Sequence, residues 1–183
     1  VNSSATPIGP RYRRPHDSRR PAALAYGLGA LFILAVVLAA YHPLILATPG
    51  NAYPPGWDSW GHIFKAEYLS EQLHQGIAYP ILLPWWYDGL EVFRYWSPLP
   101  IYVLALLGHL AGDIFVGAAW LVPLAAALGG LSWLLYAGRI GRLAAVAAGA
   151  IWAIWPDHIF LGLLEGNLPR VVATAVFPLL FLC

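Results

Sequence analysis

The sequence predicts an all-α, polytopic transmembrane helix bundle, and three observations carry the prediction. Of its 183 residues 60% are apolar and 10% charged, whereas soluble domains run nearer to half and a quarter. The apolar residues gather into long uncharged runs of the length a bilayer requires. The charges are unevenly shared, with five arginines ahead of the first run and most of the acids in one stretch after it.

Composition also excludes. Cys183 is the one cysteine, so there is no internal disulfide and no cysteine-based zinc site. The net charge of +1 points to no class of partner. No P-loop, dinucleotide fingerprint or nucleic-acid-binding surface is present. The sequence opens on Val1, contains no methionine, and ends in an apolar run, Val171 to Cys183, too short to cross a bilayer. It therefore reads as the N-terminal piece of a longer membrane protein.

Residues 1–21 hold Arg11, Arg13, Arg14, Arg19 and Arg20 against Asp17. Such a stretch buries too little apolar surface to fold and reads as a disordered basic tail on the cytoplasmic side. Residues 22–183 form the membrane domain. Ala22 to Tyr41 carry no charge and make about 30 Å of helix, the thickness of the hydrocarbon core. This first span is placed at 22–47, ended by Pro43 and Pro49. No small-x-small cleavage site follows Leu46, so the helix stays in the membrane.

Residues 48–97, the larger part of loop one (48–113), are different material, rich in Gly, Pro, Trp and Tyr, with Asp58, Glu67, Glu71, Asp88 and Glu91. Ser59 to Gln75 has helical spacing, with Trp60, Phe64, Tyr68 and Leu69 on one side and Lys65, Glu67, Glu71 and Gln72 largely elsewhere. Gly76 is its stop signal. The pattern predicts a helix (59–75) lying on the bilayer surface. Tyr79 to Trp96, with Trp85 and Trp86, reads as an interfacial aromatic belt.

Three apolar stretches follow: Pro98–Gly112, Ile114–Gly138 and Leu143–Pro156. Only the middle one spans comfortably, which leaves a choice of parity. If Pro98–Gly112 spans, Arg139 and Arg142 fall outside. If it is instead a second surface helix (98–111), the first span returns through 114–138 and Gly-Arg-Ile-Gly-Arg becomes a basic inner turn. The tail arginines then share their side with Arg139 and Arg142, seven of the ten Lys/Arg, and the positive-inside rule favours this arrangement. A third span at 141–156, an outer loop at 157–170 and a truncated fourth span at 171–183 complete it. The protein is thus expected in the cytoplasmic (plasma) membrane, with its N-terminus inside, loop 48–113 outside, and lipids as its partners.

Two outer loops then hold the chemistry. Asp58 in Gly-Trp-Asp-Ser-Trp-Gly-His either caps the surface helix or offers a carboxylate at a membrane-edge cleft, as general base or metal ligand. His62, one turn on, is near enough to share a proton or a divalent metal ion, although an interfacial histidine bonding to water is commoner. Glu67 with Glu71, and His109 with Asp113, read as solvated or interfacial pairs. Asp157, His158, Glu165 and Arg170 cluster at the bilayer edge, where titratable groups are costly unless paired or functional; Glu165 and Arg170 also fit a simple ion pair.

The order of features resembles a family pattern: Asp58, His62, Gly76, Tyr79-Pro80, Trp85-Trp86, Gly89, Phe93, Tyr95 and Pro98-Leu99-Pro100-Ile101-Tyr102. This is similar to the bacterial and archaeal membrane proteins called 6-pyruvoyl-tetrahydropterin synthase-related, whose name implies no pterin chemistry. Those in turn resemble the GT-C class of membrane glycosyltransferases. That resemblance implies a GT-C-like N-terminal core with surface helices in the first external loop. It also implies transfer of a sugar from a polyprenyl-phosphate-linked donor on the extracytoplasmic face. Asp58 matches the first functional acid and Asp157 is nearest to the second, with His62, Glu165, Arg170 and Tyr95 as substrate-binding candidates and Asp58 and His62 as metal candidates. The departure is the missing acid pair, since Trp57 and Ser59 flank Asp58. Two other classes fit the same residues: a transporter or flippase of lipid-linked cargo, which needs no base, and a non-catalytic scaffold in which Asp58 only caps a helix.

Overall fold

The computed structural model describes residues 19–52, 56–86 and 88–182; the predicted tail lies outside them up to residue 18. Of the described residues 77% are helical. Helices α1 (Arg19–Ile45) and α2 (Ser59–His74) are followed by a small antiparallel hairpin, β1 (Leu82–Leu83) with β2 (Leu90–Glu91), pairing Leu82 with Glu91 and Leu83 with Leu90. Then come α3 (Val92–Tyr95), α4 (Pro98–Ala111), α5 (Ile114–Ser132), α6 (Ala137–Ile140), α7 (Arg142–Ala153), α8 (Pro156–Ile159) and α9 (Leu168–Val176).

Among the described residues three helical stretches are long and apolar enough to cross a membrane: Ala23–Ile45, Ile114–Ile140 and Arg142–Glu165. The second joins α5 to α6 through a tighter turn at Trp133–Tyr136, and the third joins α7, α8 and a wide π-type turn at Phe160–Glu165. The third breaks between Ile154 and Trp155. Pro156 disfavours helical backbone at the residue before it, and Trp155 is extended, at φ −58°, ψ 132°. The helical path resumes and continues to Glu165, so the segment expected to be a loop from Asp157 turns only at Gly166, where φ is +74°.

Contacts give the directions of the helices. Tyr26 lies against the Arg142 guanidinium at 5.8 Å, and the Tyr41 hydroxyl donates to the Ala153 carbonyl at 2.9 Å, so α1 and α7 run the same way. Gly29 faces Leu134 and Ile33 faces Gly130, so α5 runs opposite to both. A Cβ on Gly130 would lie 2.9 Å from the Gly149 carbonyl oxygen. The α5–α7 contact is therefore backbone against backbone, which small residues permit. The last stretch runs parallel to α5. Trp152 bonds Thr174 O at 3.3 Å, Tyr136 donates to Pro178 O, and Arg139 bonds Phe181 O and Leu182 O.

One end of the bundle thus gathers Tyr26, Arg139 and Arg142, and loop one covers the other. Leu24, Leu28, Leu31, Phe32, Leu34 and Leu38 of α1 are all exposed. Apolar surface of that extent on one helix suits lipid rather than water.

Candidate functional site

Loop one meets the third span at its far end. The backbone N–H of Asp58 donates to Glu165 O at 2.9 Å, and the fully buried Ser59 hydroxyl donates to Gly166 O at 3.3 Å. Gly56 makes this approach possible. Its φ is +69°, and a Cβ there would collide with the Gly166 backbone and lie 2.5 Å from the Glu165 carbonyl carbon. Gly56 and Gly166 are both in the left-handed region, where glycine alone is free of steric cost.

Asp58 stands at the N-cap of α2 but does not cap it. Its backbone is already helical (φ −78°, ψ −16°) and its carboxylate takes no cap hydrogen bond. A capping side chain requires extended backbone, so that its oxygen can turn back onto the first N–H groups. Asp113 shows the contrast: at φ −156°, ψ 127° it caps α5, accepting from Phe115 N at 2.8 Å and Val116 N at 3.0 Å. The carboxylate of Asp58 is exposed at the junction of the two segments, while its own N–H is committed to Glu165.

Glu165 is held in place. Asn167 Nδ2 donates to its Oε1 at 3.0 Å, and Arg170 Nη1 lies 3.8 Å from the same oxygen. The side chain of Asn167 also caps α9, accepting from Arg170 N at 3.3 Å. Close by, a cavity of about 310 Å³ is lined by Trp152, His158, Leu161, Arg170, Thr174 and Phe177, among others. Asp157 is exposed on the first turn of α8, and His158 hydrogen-bonds Trp152 O through Nδ1 at 2.8 Å. The fold therefore brings Asp58, Glu165 and Arg170 to one junction. No contact among the described residues ties Asp157 or Tyr95 to Asp58; Tyr95 is exposed on α3, beside Arg94 and Trp96.

The inner face of α2 differs from the expected one. Ser59, His62, Ile63, Ala66 and Leu69 are buried at helical spacing, while Trp60 and Phe64 are exposed. His62 is on that inner face, and its Nδ1 has no hydrogen-bond partner among the described residues. Burial, then the nearby charge of Lys65, lowers its pKa to about 4, so the ring is neutral at physiological pH. Among the described residues no group of three or more His, Cys, Asp or Glu is placed to hold a metal ion.

Lys65, expected on the polar side, is 2% exposed. Its Nζ donates to Gly61 O at 2.8 Å and sits over the rings of Trp96 at 4.2 Å and Trp86 at 4.8 Å. A desolvated cation over an indole gains roughly 2 kcal/mol, but stripping water from an ammonium costs several kcal/mol. Burial wins: it lowers the Lys65 pKa to about 8, and the negative charge of Asp58 offsets only part of that. The signal for Lys65 was in the sequence, which contains no other lysine.

Residues 93–183 match the model of the 6-pyruvoyl-tetrahydropterin synthase related domain, a membrane-protein family. Over this stretch the chain is similar to that family. No curated protein and no solved structure matches. The 6-pyruvoyl-tetrahydropterin synthase related domain takes in Glu165, Gly166 and Arg170, while Asp58, His62 and Lys65 precede it. The junction therefore joins the matched stretch to residues that precede it.

Proposed function

We propose that this integral membrane protein contributes the N-terminal core of a GT-C-like glycosyltransferase. Its donor is a polyprenyl-phosphate-linked sugar, used on the extracytoplasmic face. The observation that carries this reading is the Asp58 carboxylate, exposed at the Glu165–Gly166 junction and not spent on helix capping. A carboxylate so placed can take the proton of an acceptor hydroxyl as it attacks the sugar. Arg170, on the far side of Glu165, can meet the charge of the departing phosphate.

Orientation follows from charge: the end bearing Arg139 and Arg142 is inside and the Asp58 end outside. The test is reconstitution of the full-length protein in proteoliposomes with a polyprenyl-phosphate-linked sugar and a lipid or glycan acceptor. Transfer supports the reading. Movement of the intact donor across the bilayer without transfer supports a flippase instead. Repeating the assay with a chelator tests the divalent ion proposed for Asp58 and His62.

A further inference from the structure

Lys65 is the one lysine of the sequence, and its other nine basic side chains are arginines. Its ammonium has three N–H donors. Among the described residues it makes one hydrogen bond, to Gly61 O at 2.8 Å, and no carboxylate oxygen lies within 4.0 Å. Trp96 and Trp86 cover it. Both indoles are on lightly built chain, since Trp86 follows a two-residue strand and Trp96 a four-residue helix. Turning either aside breaks little secondary structure.

An apolar side chain of this length would fill the same space without a desolvated charge, so the lysine costs stability. Ionisable groups at such a cost persist where their charge is used. The charge of Asp58 only partly compensates it. We propose that Lys65 is an anion-binding residue, its ammonium taking the oxygens of a phosphate group at the bilayer surface when an indole turns aside. A phosphate offers several oxygens to the two remaining N–H donors, and lysine serves it as a point charge. Trp57, Trp60, Trp85 and Tyr95, on the same loop as Lys65, are exposed. Such a belt belongs among headgroups, where phosphate is the abundant anion. The inference stands apart from the transferase reading, because Lys65 binds phosphate whether or not Asp58 moves a proton.

Thermal unfolding of the full-length protein in phosphatidylcholine nanodiscs tests it, with added inorganic phosphate and, separately, with phosphatidic acid in the discs. The wild-type Tm is expected to rise saturably, as binding to the folded state requires. A response to inorganic phosphate marks a free anion as ligand, and one confined to phosphatidic acid marks a headgroup. Lys65→Met should start from a higher Tm and lose the response. Trp96→Leu keeps the lysine and removes one wall, so the phosphate midpoint should fall about tenfold as the covered population shrinks. A wild-type Tm indifferent to both probes, a Lys65→Met protein that responds like wild type, or an unchanged midpoint in Trp96→Leu would each overturn the assignment.

Discussion

Asp58 gives its backbone N–H to the carbonyl of Glu165 at 2.9 Å, so the residue that opens α2 is fastened to the residue that closes the third membrane-length helix. The fastening uses main chain only. It holds the Asp58 carboxylate at the junction without consuming it.

Replacing that carboxylate separates catalysis from architecture. Asparagine keeps the backbone bond and the size of the side chain, and the cap it could lose is not made. Asp58→Asn should therefore leave expression and insertion unchanged and lower Tm only slightly, as Lys65 loses the charge that partly offsets its burial, while sugar transfer falls by ~10²–10⁴-fold, as for loss of a general base. A variant transferring sugar at the wild-type rate removes Asp58 from the chemistry.

The junction itself depends on Gly56. Gly56→Ala adds a Cβ against the Gly166 backbone at φ +69° and should destabilise the protein by more than the ~1–3 kcal/mol of left-handed strain alone. Gly50, at φ +80° with nothing within 4 Å, supplies the control, since Gly50→Ala meets the strain without the collision. Equal losses of Tm in the two variants would mean that the close approach contributes nothing.

Sidedness can be read by labelling. In a Cys183→Ser background, a cysteine at Gln75 should react with an impermeant reagent in intact cells and one at Ile140 should not. Reaction at position 140 from outside reverses the assignment and puts Asp58 and Glu165 in the cytoplasm.

The disposition of α4 is open to a depth measurement. Leu106 and Leu110 are both exposed, and if α4 lies along the bilayer surface, spin labels at the two positions report nearly the same depth. A helix along the bilayer normal would separate them by about 6 Å.

Two buried bases set the pH response. The folded pKa of His62 is lowered from 6.5 to about 4. The unfolded chain thus takes up this proton first on acidification, and the stability held in the neutral ring is lost as pH falls from 6.5 to 4. Lys65 is lowered from 10.5 to about 8, so its contribution is least favourable below pH 8 and improves as pH rises toward 10.5. Chemical denaturation between pH 4 and 10 should show both slopes. Lys65→Met should flatten the alkaline one, and an undiminished slope in that variant assigns it to another group.

Composition alone determined that this is a membrane protein, and the length of its apolar runs marked the first two membrane-length helices, Ala23–Ile45 and Ile114–Ile140. Those features follow from the cost of burying charge and unpaired backbone in lipid, which each segment meets by itself. What the tertiary structure decided are the properties that depend on two distant segments at once. Helical spacing shows that α2 has an inner face, but Trp60 and Phe64 outrank Ser59 and His62 in apolarity, and only the packing against Glu165–Gly166 turns the smaller residues inward. Lys65 reads as a solvated charge until Trp86 and Trp96, distant in sequence, are folded over it. Asp58 reads equally as a cap and as a free carboxylate until its backbone is seen to be helical. Its helical backbone goes with the contact to Glu165, a segment too distant in sequence for any local pattern to record.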